Sequence, residues 1–516
     1  MLVDFRPHTR LRAEQPVDIG ASVVPVLEAL SESTADLDRV RVVADWVQYR
    51  ANFRDVVDVR PILHTPREPR PGTVPVPMPM GAREDDLEIA VDVRRSGGAA
   101  ALEHSGGAPL KELAAARLQQ RSGHVLLEDW GRGSESCIWD FNALYWAALE
   151  LWEKASGQGY EQALPGGESD ARNTDAAREL IDELFTVWDR LAATNALPDE
   201  LYVVELGVGN GNQAKVFLDA FRARDEEHGR GYYQRLQYLM CDYSQHVLDL
   251  ARETVAEHLD HVSAFALDAV RPCTALGFLQ YKVFLVYVSN VYDNLPTDEV
   301  AHLGGRTYCV ETRAYLPADA AAELAASVAV DVADLPALVH KLLRLGPALL
   351  PDAAPQHLSD VDAAVDFWQR VWAALRLEER YVPLAGLDTY ALSTPTLRSF
   401  HGAETELGGE LLGPLLESGA DLRMHVSNGA LTSFVESLRL LHPYGRLVCH
   451  DLFVTAAEGY RTHFRGPGKY DGSVVNWVNG PLLAHVGRRH GFDVRYERFR
   501  HRNGGNIVTM TAQVGD

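Results

Sequence analysis

The stretch Tyr202-Val203-Val204-Glu205-Leu206-Gly207-Val208-Gly209-Asn210-Gly211-Asn212-Gln213-Ala214 joins an apolar, β-branched run to an acid, alternating glycines and the start of an amphipathic segment. This order predicts a buried parallel strand that turns through a glycine loop into a helix, leaving backbone N–H groups to face a nucleotide-like ligand. Glycine suits such positions because a Cβ obstructs both the tight turn and the approach of a ligand to the main chain. Two cofactor patterns overlap here. Gly209-x-Gly211-x-x-Ala214 satisfies the dinucleotide fingerprint. Glu205, two residues before Gly207, instead places a carboxylate where a ligand with a cationic end is favoured. A glycine turn that serves only the fold is the third reading.

Further polar residues recur where strands are expected to end. Asp242, in Cys241-Asp242-Tyr243-Ser244, lies 31 positions after Gly211, beyond the spacing of ~20 in a dinucleotide fold. The polar stretch 225–235 accounts for the excess as a loop. A carboxylate at position 242 accepts hydrogen bonds from ribose hydroxyls, or else it or Ser244 caps the next helix. Asp268, in Leu267-Asp268-Ala269, is a candidate acceptor for an adenine amino group, with a turn cap as the alternative. The run Val288 to Pro296 concentrates Asn290, Tyr292, Asp293 and Asn294 at a strand end, where open α/β sheets bind ligands. A polar loop opening a helix is the competing reading. His450 and Asp451 close a further strand, as a base and an orienting acid for a cationic nucleophile or as a structural pair. His258 and His261 lack acidic or cysteine partners at ligand spacing, so no metal site is expected. Neither a Gly-x-Ser-x-Gly elbow nor a Walker lysine is present.

The elements that must position these residues alternate along the chain. Helices are expected over 175–191, 214–224 and 244–258, with strands over 202–205, 236–241, 262–267 and 281–289. Strands alternating with helices imply an α/β, doubly wound, mostly parallel sheet. Helical spacing over 318–328, 335–345 and 363–377 marks a helix-rich stretch, followed by a helix over 427–441 and a strand over 446–451. The segments 492–499 and 506–513 alternate well enough to pair as an antiparallel hairpin. Upstream, 23–30, 37–49 and 139–152 have helical spacing. The proline-dense 61–80 reads as an extended linker or sheet edge, and 97–107 as a loop.

With 516 residues the chain is long enough for two or three domains. Its 46% hydrophobic and 23% charged composition is that of a soluble globular protein. A net charge of −23 opposes attraction to nucleic acid or anionic membranes. The five cysteines are scattered singly, which argues against disulfides and for a reducing, cytoplasmic setting. No signal peptide and no apolar run of membrane-spanning length is expected.

With these residues in hand, the chain resembles the MidA-like family of class I S-adenosylmethionine (AdoMet) methyltransferases over about Trp139 to Gln513. Asp140-Phe141 through Leu144-Tyr145, then Gly159-Tyr160, is similar to that family's opening motif. Glu205-Leu206-Gly207-Val208-Gly209-Asn210-Gly211 is similar to its Glu-Leu-Gly-Pro-Gly-x-Gly loop, and Asp242-Tyr243-Ser244 to its Glu-x-Ser. Asn290 through Pro296 resembles its Asn-Glu-Phe-Phe-Asp-Ala-Leu-Pro, with Val291 in place of the glutamate. His450-Asp451-Leu452 stands where an Asp-Tyr-Gly is usual, and Pro467 through Ser473 is similar to its later Pro-Gly-x-x-Asp-x-Thr.

The resemblance implies a Rossmann-like class I sheet with a terminal antiparallel strand, a helical insertion and an N-terminal extension. The expected division is 1–130 as extension with proline-rich linker, 131–316 as the first part of the core, 317–425 as insertion or cap, and 426–516 as the C-terminal strands. It implies AdoMet as cofactor, held by Glu205, Gly207, Gly209, Gly211, Asp242 and Asp268, with Asn290, Tyr292, Asp293 and Asp451 orienting the acceptor. A mitochondrial member methylates a protein arginine during respiratory complex I assembly, so a protein side chain or a small molecule is the expected acceptor. An NAD(P)-dependent oxidoreductase and a non-catalytic, AdoMet-binding assembly factor are the rivals.

Overall fold

The computed structural model describes the chain apart from residues 1, 7–18, 34, 46, 48, 50, 66–85, 97–108, 120–122, 158–173, 393–406, 418, 462–465, 502–505 and 516. Most of the proline-dense stretch, the glycine-rich 97–107 and the Gly159-Tyr160 motif therefore fall outside the described residues. The chain forms two compact units, one of residues 1–141, 297–426 and 456–475, the other of 142–296, 427–455 and 476–516.

The first unit is built on a ten-stranded mixed sheet. Eight of its strands lie in the order Leu2–Arg6, Val40–Asp45, Asp86–Asp92, Val57–Ile62, Arg376–Pro383, Arg306–Leu316, Glu299–Leu303 and Leu422–His425, while the short Val125–Leu126 and Gly131–Arg132 pair with Arg306–Leu316 off that path. Helix Ile19–Ser31 packs Val23, Val26 and Leu30 against Val42, Ile89 and Val91 of this sheet. The helical spacing expected over 37–49 is not realised. A single 3-10 turn at Leu37–Arg39 leads into strand Val40–Asp45, which pairs in parallel with strands on both sides. Its Val-Arg-Val-Val-Ala run is buried on both faces, and β-branched side chains favour that environment over a helix.

The second unit carries the elements that the glycine motif calls for. We number its strands β1 (Leu201–Leu206), β2 (Leu236–Asp242), β3 (Val262–Ala266), β4 (Val283–Ser289), β5 (Leu441–Asp451), β6 (Phe492–Arg498) and β7 (Val508–Val514). Its main helices are α1 (Thr174–Ala193), α2 (Asn212–His228), α3 (Gln245–Thr254), α4 (Asn428–Leu440) and α5 (Gly480–Arg489). The seven strands lie in the order β3-β2-β1-β4-β5-β7-β6. Strands β1 to β5 are mutually parallel, and β7 runs antiparallel to both β5 and β6. The expected hairpin forms, with the last strand wedged inside the sheet between β5 and β6 rather than at its edge. This order, with β7 reversed, is the Rossmann-like class I methyltransferase sheet.

Residues of both parities in β1 and β4 are buried, so both faces of the sheet are covered. On one face Trp188 of α1 packs among Phe185, Phe221, Tyr232 and Phe284, with ring centroids within 6.2 Å. From β1 the chain runs outward to β2 and β3, then returns to lay β4 on the other side of β1. The order of strands therefore reverses between β1 and β4, and the crevice outside their carboxyl ends is where such sheets take ligands.

Candidate functional site

The loop after β1 folds as the glycines require. Gly207, Gly209 and Gly211 have φ of +75°, +56° and +80°, the left-handed region that favours glycine. Two of them are also closed in by protein. A Cβ on Gly211 would lie 2.8 Å from Ala251 Cα and 2.9 Å from Ala251 O, in α3. One on Gly207 would run into Cγ2 of Val291, in the loop after β4.

The loop's N–H groups do not point outward as expected. Gly207 and Val208 donate to Cys241 O at 2.8 and 3.0 Å, and Gly211 donates to Val208 O at 3.2 Å. Gly209 donates to Oδ2 of Asp242 at 3.1 Å, which ties the loop to the end of β2. The turn is thus held by its own carbonyls and one carboxylate. A pyrophosphate, which needs free N–H groups, finds those of Gly207, Val208, Gly209 and Gly211 already engaged.

The acids nearby are short of positive charge. Glu205 is 3% exposed and accepts a hydrogen bond from Tyr238 Oη at 2.6 Å. Burial pushes its carboxyl up to about 8, and the neighbouring Asp242 adds to the effect while the Tyr238 bond opposes it. Asp242 is half-buried, also accepts from the N–H of Ser244 at 3.2 Å, and is raised by burial to about 6. No basic side chain among the described residues pairs with either group. Ser244, rather than Asp242, caps α3 by accepting from Val247 N–H. Asp268 is exposed just beyond β3 and accepts from the N–H of Val270 at 2.8 Å. It neighbours Leu267, whose N–H donates to Asp242 O at 2.9 Å.

The loop after β4 begins with Asn290 at φ +52°, an unusual conformation for a residue with a side chain. Its N–H donates to His450 O at 3.0 Å, and the residue is half-buried. Tyr292 is 1% exposed, with its hydroxyl facing Ser433 and Ser437 of α4. Asp293 and Asp451 are both buried, and the Asp451 carboxyl adds to the effect of burial in discouraging ionisation of Asp293. Oδ2 of Asp451 accepts the N–H groups of Val291, Tyr292 and Asp293 at 3.2, 2.8 and 3.4 Å, and Oδ1 accepts that of Leu452 at 2.7 Å. Asp293 Oδ1 accepts from Asn294 Nδ2 at 2.6 Å. Burial raises both carboxyls, Asp451 to about 6. Asp451 thus folds the loop after β4 from below. The accessible polar groups of that loop are those of Asn290 and Asn294.

His450, a candidate base, is packed against Phe499 and Tyr287, and its Nδ1 meets Thr509 Oγ1 at 3.0 Å. Burial holds it down to about 4, so the ring is neutral and structural. An open depression of about 380 Å³ lies at the rim of β6 and β7, lined by Thr455, Tyr496, Arg498, Asn506 and Val508. It includes none of the residues of the glycine loop. Among the described residues no cluster of potential metal ligands occurs, and no helix is long and apolar enough to cross a membrane.

Sequence reading overlooks two participants. Tyr238 cannot be linked to Glu205 until β2 is placed beside β1. Asn476 reaches this loop only through the fold, its N–H donating to Asp293 O at 2.8 Å.

No family model and no curated protein matches the chain. Among solved structures it is similar to a COG1565 superfamily member from Burkholderia thailandensis bound to S-adenosyl-homocysteine, at 13% identity over 78% of this chain and 90% of that one, with a TM-score of 0.41. A second COG1565 structure from that organism gives 13% identity, the same coverage and a TM-score of 0.40. The DszA carbon methyltransferase gives 12% identity over 84% of this chain and 74% of that one, with a TM-score of 0.31.

Proposed function

We propose that the chain is an AdoMet-dependent methyltransferase. One observation carries this reading. In the crevice beside β1 and β4, the glycine loop has used its N–H groups internally, while Glu205 and Asp242 stand without a basic partner. AdoMet has no pyrophosphate to be held and brings a positive charge, so it suits these residues better than a nicotinamide dinucleotide does. Gly209 and the loop around it would carry the nucleoside, Asp242 the ribose, and Asp268 the adenine edge, with Glu205 in the strand beneath. The group supplies an electrophilic methyl for in-line displacement.

The chain's own residues then have to orient an acceptor and exclude water. Asn290 and Asn294 are the side chains free enough to touch it, while Tyr292, Asp293 and Asp451 shape the loop that presents them. The acceptor belongs to a small molecule or a protein side chain. Arginine is the less favoured protein target, because a guanidinium needs ionised, accessible oxygens and those of Asp293 and Asp451 are already occupied.

Titration calorimetry with AdoMet and with NAD tests the reading. AdoMet is expected to bind with micromolar affinity, about −8 kcal/mol, and NAD not measurably. Gly209→Arg should abolish AdoMet binding, and unchanged binding in that variant would exclude the site. Labelled AdoMet with protein and small-molecule fractions of a lysate then separates an enzyme from a binder that does not turn over.

A further inference from the structure

Asn476 is 2% exposed, yet neither its Oδ1 nor its Nδ2 has a hydrogen-bond partner. Its place is well fixed. Its N–H donates to Asp293 O at 2.8 Å, and two residues on Val478 N–H donates to Leu452 O at 2.8 Å. Val478–Asn479 then pairs in parallel with Phe453–Val454. The residue is therefore held between the segment that follows β4 and the segment that follows β5, at the carboxyl rim of the sheet. A carboxamide buried at both ends without partners is expensive, and native proteins seldom keep one without a use for it. The adjacent carboxyls do not answer it. Asp451 is filled by four backbone N–H groups, and Asp293 accepts from Asn294.

We propose that Asn476 binds the methyl acceptor, donating from Nδ2 and accepting at Oδ1 to pair with a neutral group such as an amide or hydroxyl. The inference rests on the methyltransferase reading. A carboxamide has two donors and one accepting oxygen, so it suits a group that itself both donates and accepts. A guanidinium only donates, and would leave Nδ2 as unpaired as before.

Two variants of the full chain test this. Asn476→Leu removes a buried polar group that bonds to nothing in the protein, so Tm should hold or rise. Its AdoMet affinity by calorimetry should stay within about twofold of wild type. Methyl transfer to whichever lysate fraction the wild type labels should fall about tenfold or more. Asn476→Asp keeps the shape and removes the donors, and should show the same loss with AdoMet binding retained. A fall in Tm for Asn476→Leu would mean the amide is bonded within the folded protein, and unchanged transfer in both variants would mean it does not touch the acceptor. Either result overturns the proposal and leaves the methyltransferase reading intact. A wild type that fails to bind AdoMet, or binds it and labels neither fraction, overturns both.

Discussion

A carboxyl group in the interior of an apolar sheet resists ionisation, and Glu205 is in that position. Its surroundings hold it up to about 8, so in the folded protein it carries its proton at neutral pH, whereas unfolded it would ionise near 4.5. The stability it contributes is fully present below that lower value and is lost as pH rises toward 8. Glu205→Gln imitates the protonated form. The variant should match wild type in Tm near pH 5 and exceed it at pH 8, which a series of thermal melts across that range checks. The same residue makes ligand binding pH-dependent. On the proposed reading, a cationic ligand favours the ionised form, so AdoMet affinity should rise between pH 6 and 8, by up to about tenfold per pH unit, with proton release. Glu205→Gln should flatten that slope, and a slope that persists in the variant would place its origin elsewhere.

At the scale of elements, the glycine loop is held in place more by packing than by anything it leaves open. Gly211 pairs a φ of +80° with direct contact against the backbone of α3. Gly211→Ala should therefore destabilise the protein by about 2–4 kcal/mol, measured as a shift in urea midpoint at unchanged slope. Gly207→Ala offers a milder case, because the obstructing atom belongs to the Val291 side chain, which can rotate. That contact also explains what Val291 does in this chain. It fills the space over Gly207, a role that sequence comparison with a glutamate at the same place does not suggest.

The strand, loop and helix around Gly207 to Gly211 are readable from sequence because each local signal agrees: a β-branched run, alternating glycines, then a 3.6-residue apolar period. The strand after Pro443-Tyr444-Gly445 and the final hairpin are readable for the same reason. The strands Arg376–Pro383 and Leu422–His425 are not, since Glu379, Arg423 and His425 occupy buried positions that a pattern search expects to be apolar. Of the site, the glycines and acids are visible as types, but their satisfaction is not. Only the fold reveals that Asp451 is consumed by the loop it supports, that His450 is enclosed by rings, and that Asn476 is brought to Asp293 from nearly two hundred positions away.

Across the whole molecule, buried carboxyls fall into two groups, one held down by guanidiniums and one raised by burial, and pH separates them. In the first unit three guanidiniums meet three carboxylates inside the ten-stranded sheet. Arg60 reaches Glu88 and Glu379 at 2.8 and 2.9 Å, Arg54 reaches Glu379 at 2.8 Å, and Arg423 reaches Glu379 at 2.7 Å and Glu299 as well. Burial alone would raise these carboxyls. The cations win, bringing Glu88 and Glu379 down to about 2 and Glu299 well below its usual range. Groups lowered in this way give stability that is present above about 4.5 and lost as pH falls toward 2. The buried Glu205, Asp293 and Asp451 of the second unit are raised, as are Asp58 and Asp92 of the first, so their contribution is lost in the other direction. The molecule should accordingly be most stable in mildly acidic solution, with separate residues responsible for each flank. Glu379→Gln leaves three buried arginines short of one negative charge, and should lower stability by about 3–5 kcal/mol at pH 6. Because that carboxyl can no longer be titrated, the variant's acid flank between pH 4 and 2.5 should be shallower than the wild type's, while its alkaline flank should match. Denaturant titrations at each pH resolve the two effects. An acid flank as steep as the wild type's would show that the network does not govern acid unfolding.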